Sequence, residues 1–277
     1  MIVGIMKAGS TLYRWLVEHP HVVRGAVKEA NFLCDDRYFD GHRVREECRG
    51  TYAALIGSGG VRIDASPSYA DPAVAERKAQ RLAWLAPEAR VVALLRNPIA
   101  RLRSHYMHEV LRGRESRTLQ EALETAENDY TRRSCYFSGL SPYVVEFGTE
   151  RLIRVDFEPL NDEATWSQLL ADLGLPWVRL PEQSFNKTAD NVPFNALALL
   201  LWERGLLRHS HRLPRVVKRL GKLALFRTRG AIRRLEDSSR GPIPDSTLEL
   251  VHEEVCSLDR LLNDTPSWAS RWKMPPA

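Results

Sequence analysis

The chain has 277 residues, 44% of them hydrophobic and 27% charged, with a formal net charge of +5 at neutral pH. That is enough chain to bury a sizeable core, as one large domain or a domain with an appendage, and no stretch approaches the ~18 to 20 apolar residues of a membrane-spanning helix. Cys34, Cys48, Cys135 and Cys256 are widely spaced, without a C-x-x-C pair, which argues against zinc or a disulfide frame and for thiols in a reducing compartment.

The first apolar run, Met1 to Ile5, reads as a strand and leaves no room for a signal peptide, so a cytoplasmic enzyme is expected. It leads into Gly4-Ile5-Met6-Lys7-Ala8-Gly9-Ser10-Thr11. The phosphate-loop pattern G-x-x-x-x-G-K-[ST] fits Gly4, Gly9 and Thr11, but Ser10 stands where the lysine belongs, and Lys7 lies three residues earlier. Leu12, Trp15 and Leu16 then follow a helical spacing that Pro20 stops. A strand, a glycine loop and a helix start form a ready anion site, because free backbone N–H groups converge where the helix dipole is positive. The same residues also fit a glycine turn that merely joins strand to helix. If a phosphate-like group is held, it is not held as a Mg-ATPase holds one.

Further along, Val61–Asp64 reads as a short strand, and Asp71-Pro72 caps a helix that continues to Leu85 and stops at Pro87. Val91–Leu95 is a continuous aliphatic run, as in a buried parallel strand. Arg96 ends it, Asn97 is a suitable N-cap, and Pro98 a suitable first helical residue. In that helix Ile99, Leu102 and Tyr106 point inward, with Ser104 about two turns in and His108 on the same face one turn later. A charged residue leaving a buried strand stands where open α/β sheets place ligand contacts. Arg96 offers a fork for a second phosphate and Ser104 a hydroxyl, although both also fit ordinary surface positions.

Leu152–Val155 reads as another strand, ending near Asp156. Trp166, Leu169, Leu170 and Leu173 make a helix closed by Gly174. Residues 204–235 hold eleven Arg and Lys and no Asp or Glu, which leaves the remainder of the chain at −6. Their apolar positions recur at helical spacing, so this basic helical insertion lies on an anionic membrane, meets an acidic partner, or packs its stripe on the core and aims its charge at solvent or at bound phosphates. Without aromatic interleaving or a known module, nucleic acid is not an expected partner. Asp245–Leu262 forms a last amphipathic helix ahead of Trp268 and Trp272. Alternating strands and helices predict an α/β fold, a parallel sheet with helices on both faces.

Two stretches carry a resemblance. Lys7-Ala8-Gly9-Ser10-Thr11 after the first strand and Leu94-Leu95-Arg96-Asn97-Pro98, continuing through Arg101 to Ser104-His105-Tyr106, resemble the sulfotransferases that use 3'-phosphoadenylyl sulfate (PAPS). The likeness is to the branch with heparan sulfate sulfotransferases and many bacterial relatives, and it covers most of the chain. It implies a P-loop NTPase-like central sheet in a single domain over 1–277, with 204–235 inserted. It also implies that Lys7, Ala8, Gly9, Ser10 and Thr11 cradle the 5'-phosphosulfate while Arg96 and Ser104 hold the 3'-phosphate. No metal is expected, and the product nucleotide is adenosine 3',5'-bisphosphate. Lys28-Glu29-Ala30-Asn31-Phe32 resembles the segment whose glutamate is the general base, which implies that role for Glu29, with Lys7 stabilising the departing phosphate oxygen. His108 matches a histidine thought to assist catalysis in related N-sulfotransferases; His105 is expected to be structural. Ser238-Ser239-Arg240-Gly241-Pro242 occupies the place of a loop that closes over the nucleotide, which implies Arg240 and Gly241 as cofactor contacts, and Asn186-Lys187 is a polar turn that could share that lid.

The chain departs from the family at Asp64-Ala65-Ser66-Pro67-Ser68-Tyr69, where Ala65 replaces a lysine. That departure puts a heparan-type acidic acceptor in doubt and leaves Asp64 as either an acceptor-side carboxylate or a cap for backbone amides. The implied acceptor is a hydroxyl, less favourably an amine, of a glycan, lipid or secondary metabolite. Two other readings stay open: a Mg-ATP-dependent small-molecule or nucleotide kinase, and a non-catalytic peripheral membrane protein acting through 204–235.

Overall fold

After a parallel bridge at Ile2 come α1 (Gly9–Leu16), β1 (Val22–Val23), β2 (Phe39–Asp40), β3 (Arg43–Val44), α2 (Arg49–Ile56), β4 (Val61–Arg62), α3 (Ala75–Leu85), β5 (Val91–Leu95) and α4 (Pro98–Leu111). They are followed by α5 (Leu119–Glu124), α6 (Asp129–Arg132), α7 (Tyr136–Phe147), β6 (Leu152–Asp156), α8 (Glu163–Leu173), α9 (Asp245–Leu262) and α10 (Trp268–Arg271). This computed structural model describes residues 1–3, 9–111, 114–115, 117–125, 128–180, 239–263 and 267–274. The basic segment 204–235 and the Asn186-Lys187 turn lie outside the described residues. The chain divides into two compact units, one of Met1–Pro98, Arg132–Phe185 and Val251–Ala277, the other of Ile99–Thr131 and Asn186–Leu250.

In the first unit β5 is buried at all five positions and pairs in parallel with β6, from Val91 opposite Leu152 to Leu95 opposite Asp156. On its other side Val92 bridges Ile2, also in parallel. The Ile2 N–H in turn donates to the Asp64 carbonyl at 2.8 Å, so the segment after β4 flanks the first strand, and β4 pairs in parallel with β1. The strand expected over Val61–Asp64 thus ends its pairing with β1 at Arg62 and takes a new partner at Asp64.

Side chains of β5 alternate between two cores, as the pleat requires. Val91, Ala93 and Leu95 join α3, α7 and α9 through Ala79, Leu82, Tyr136, Leu140, Val255 and Leu258. Val92 and Leu94 face the other way, onto Leu12, Trp15 and Leu16 of α1 and Trp166, Leu169 and Leu170 of α8. The fold is therefore α/β, with helices on both faces of a parallel sheet. The Trp15 and Trp166 rings meet edge to face, 6.1 Å apart at 80°.

Local signals set most boundaries. Asp162 caps α8 by accepting the Thr165 N–H, and Gly174 ends it in the left-handed region at φ 68°, where a side chain would be strained. Helix α3 begins at Ala75, later than the Asp71-Pro72 signal suggests. One Asp71 oxygen accepts the Ala73 N–H at 3.3 Å, and the other is taken by Arg132 and Arg133 at 3.4 and 3.1 Å. A carboxylate drawn off by two guanidiniums does not close the first helical turn.

The second unit has a smaller core of Leu102, Tyr106, Met107, Val110, Leu119, Ala122, Leu123 and Tyr130, with Ile243 packed against it. A capping box starts α5: Thr118 Oγ1 accepts the Glu121 N–H and the Glu121 carboxylate accepts the Thr118 N–H.

Candidate active site

The first group of expected site residues begins at the first strand. Val3 N–H donates to the Val92 carbonyl at 3.0 Å. Residues 4–8 follow, so the calls on Lys7 and Ala8 lie outside the described residues. The chain is described again at Gly9, the first residue of α1, which puts Gly9, Ser10 and Thr11 in the opening turn of a helix with no acidic residue there. First-turn amides lack intrahelical partners, and the turn carries no acidic residue of its own.

Because Ile2 and Val92 run parallel, the strand before that loop and β5 leave the sheet at the same edge. Arg96 stands at that exit of β5. Its guanidinium lies 4.8 Å from the Phe157 ring centroid, and its Nε is 4.0 Å from a Glu158 carboxylate oxygen. The Arg96 carbonyl accepts the Tyr136 hydroxyl at 2.7 Å, which holds the strand end in place. Among the described residues Arg96 Nε is buried without a hydrogen bond. Burial, and then a hydrogen bond with Asp156, push the Glu158 carboxyl above its ordinary range.

Ser104 and His108 lie on α4 in the second unit, both half-buried and one turn apart. His105 is 2% exposed with its ring 4.8 Å from that of Tyr130, a packed position that agrees with a structural role. Arg103, which the sequence did not single out, donates to the carbonyls of Ser239 and Gly241, the latter at 3.1 Å. It thereby fastens the segment carrying Arg240 and Gly241 to the helix that carries Ser104. Burial, and then the charge of Arg240, push the Arg103 pKa down. Nothing in the sequence marked Arg103, since its partners are main-chain carbonyls.

Back in the first unit, Glu29 is 40% exposed and pairs with Lys28 at 2.7 Å. Phe32 of the same motif is buried and stacks on Tyr38, ring centroids 4.4 Å apart. The 28–33 segment runs beside 64–69: Ala65 N–H reaches the Lys28 carbonyl at 3.4 Å, and Asn31 N–H donates to Ser66 Oγ at 2.9 Å. Asp64 is 2% exposed, and hydroxyls of Ser66 and Tyr69 donate to its two oxygens at 2.7 and 2.8 Å. Its oxygens are taken by side-chain hydroxyls and face away from solvent, an arrangement that differs both from an open acceptor-side carboxylate and from a direct cap on backbone amides. Burial pushes the Asp64 carboxyl up, against those hydrogen bonds. Ser66 and Tyr69 are further residues of consequence, and the Ser-Pro-x-Tyr stretch was the signal that could have found them. Among the described residues no cluster of His, Cys, Asp and Glu could hold a metal ion, and no helix is long and apolar enough to cross a membrane.

No family model matches the sequence, and comparison with curated proteins finds no match. The fold does have solved counterparts. It is that of a sulfotransferase: the chain matches the sulfotransferase from Alicyclobacillus acidocaldarius at a TM-score of 0.64 and 22% identity, over 98% of this chain and 97% of that one. The sulfotransferase domain from the curacin biosynthetic pathway is a looser likeness, at a TM-score of 0.42 and 16% identity, over 88% of this chain and 97% of the other. The resemblance carried by Lys7–Thr11 and Leu94–Tyr106 is thus borne out as a likeness of fold.

Proposed function

We propose that this protein is a sulfotransferase that moves a sulfuryl group from PAPS to a hydroxyl, or less favourably an amine, of a glycan, lipid or secondary metabolite. The observation that carries the reading is the parallel bridge between Ile2 and Val92, which sends the glycine-loop strand and the Arg96 strand out of the sheet at one edge. The shared fold supports it. So does the chemistry of the donor groups: first-turn amides of α1 suit the 5'-phosphosulfate, and the unbonded Nε of Arg96 suits an oxygen of the 3'-phosphate. Ser104, Arg240 and Gly241 complete the nucleotide contacts in this proposal.

Glu29 presents an exposed carboxylate to the acceptor and takes its proton as the acceptor oxygen attacks sulfur in line. The sulfur–oxygen bond to the 5'-phosphate breaks, and Lys7 stabilises the charge that collects on the departing phosphate oxygen. His108 is a secondary acid–base candidate. No Walker lysine is required, because the group transferred carries less charge than a γ-phosphoryl.

Titration calorimetry with adenosine 3',5'-bisphosphate is the direct test. Binding without added metal is expected; no binding, or a preference for Mg-ATP, overturns the reading. Glu29→Gln is expected to cut turnover by about 10²- to 10⁴-fold while sparing affinity for the bisphosphate. Equal loss of both would reject Glu29 as the base.

A further inference from the structure

Asp64 touches both sides of the proposed reaction centre through hydrogen bonds. Its main-chain carbonyl accepts the Ile2 N–H at 2.8 Å, which ties it to the strand leading into the glycine loop. Its carboxylate gathers the other side. Ser66 Oγ donates to one oxygen at 2.7 Å, and Tyr69 Oη to the other at 2.8 Å, with Tyr52 Oη also reaching it at 3.4 Å. A hydroxyl has a single proton, so committing it to the carboxylate turns a lone pair outward. Those lone pairs are used: Asn31 N–H donates to Ser66 Oγ at 2.9 Å and Leu33 N–H to Tyr69 Oη at 3.3 Å. Two backbone amides shortly after Glu29 thus end on this carboxylate, each through one hydroxyl.

The segment needs such support. Asn31 sits at φ 48° and ψ 19°, the left-handed region that costs a non-glycine residue energy unless its surroundings impose it. Its side chain is held as well, accepting the Ser68 hydroxyl at 3.3 Å. Ser66 and Tyr69 are 0% exposed, so water cannot substitute for either hydroxyl. Before Glu29, the Lys28 carbonyl is fixed by Ala65 N–H at 3.4 Å.

We infer that Asp64, acting through Ser66 and Tyr69, is the positioning residue that sets the Glu29 segment against the donor strand. This deepens the sulfotransferase reading and rests on it. Asp64 neither meets the acceptor nor exchanges a proton with it; it fixes where the base stands.

The test removes one hydroxyl at a time and restores it. Turnover is read as release of adenosine 3',5'-bisphosphate from PAPS with a simple phenol as acceptor probe. Ser66→Ala is expected to lower kcat by roughly 10- to 100-fold, the scale of a misplaced catalytic group, with bisphosphate affinity unchanged. Ser66→Thr keeps the hydroxyl and restores turnover. In a Glu29→Gln background Ser66→Ala brings no further loss, since the group it positions is already gone. An independent loss in that background, or affinity falling in step with kcat, overturns the inference. Hydrogen exchange supplies a readout that needs no activity: the amides of Asn31 and Leu33 exchange faster in Ser66→Ala and Tyr69→Phe, respectively, while those of β5 do not. Unchanged exchange overturns the relay even in an active enzyme. Wild-type protein that neither binds the bisphosphate nor releases it from PAPS defeats the functional reading instead. Should Ser66→Ala fail to fold, Tyr69→Phe carries the same comparisons.

Discussion

Arg96 illustrates how one residue type at one place sets a site's character. A lysine there could offer only a point charge; the guanidinium presents a planar fork, stacks on Phe157, and keeps its Nε buried beside Glu158. Burial, and then Asp156, push the Glu158 carboxyl beside Arg96 above its ordinary range. Arg96→Ala is expected to weaken binding of adenosine 3',5'-bisphosphate by about 1.5 to 3 kcal/mol, the value of a hydrogen bond to a charged group, measured by calorimetry. Affinity equal to wild type would remove Arg96 from the nucleotide site. Arg96 was legible in the sequence because a cation closing an aliphatic run is a local anomaly. Asp64 was visible as a residue but not as a role, since Ile2, and the Asn31 amide it reaches through Ser66, come from elsewhere in the chain.

At the scale of elements, helix periodicity carried furthest. The apolar spacing from Asp245 to Leu262 matches α9 end to end, and Pro98 opens α4 as its lack of an N–H suggests. The start of α3 was misread because Asp71 answers to Arg132 and Arg133, distant residues that a capping rule does not see. The turn between α4 and α5 makes the same point. Glu115 is 6% exposed there; it takes a two-pronged bond from Arg117 at 3.0 and 2.7 Å and another from the Tyr130 hydroxyl at 3.1 Å. Burial pushes its pKa up, but the Arg117 hydrogen bonds outweigh this and the carboxyl ends below its ordinary value. A depressed folded-state pKa contributes stability that is present above the unfolded value and lost as pH falls through the folded one. Thermal unfolding of the wild type is therefore expected to drop more steeply below about pH 4.5 than that of Glu115→Gln, which should already be less stable at neutral pH by roughly 1 to 3 kcal/mol. Parallel pH profiles for the two proteins would show that Glu115 gains nothing from its partners.

For the molecule as a whole, a ligand that binds only the folded state adds stability by mass action. Adenosine 3',5'-bisphosphate at one hundred times its dissociation constant should add about 2.7 kcal/mol, a rise of several degrees in Tm, undiminished by a chelator. A shift that requires Mg²⁺ would point to a different phosphate chemistry. The sequence alone determined the helices α1, α4, α8 and α9, the strands β5 and β6, the buried character of β5 and the cation after it. Those features are written in periodicity, caps and charge over a few neighbouring residues. Only the tertiary structure decided which backbones adjoin: Ile2 beside Val92, Asp64 between the first strand and the Glu29 segment, and Arg103 on the carbonyls of Ser239 and Gly241. Each of these contacts has at least one main-chain partner distant in the chain, and a group that every residue carries leaves no mark that a reading of residue types can detect.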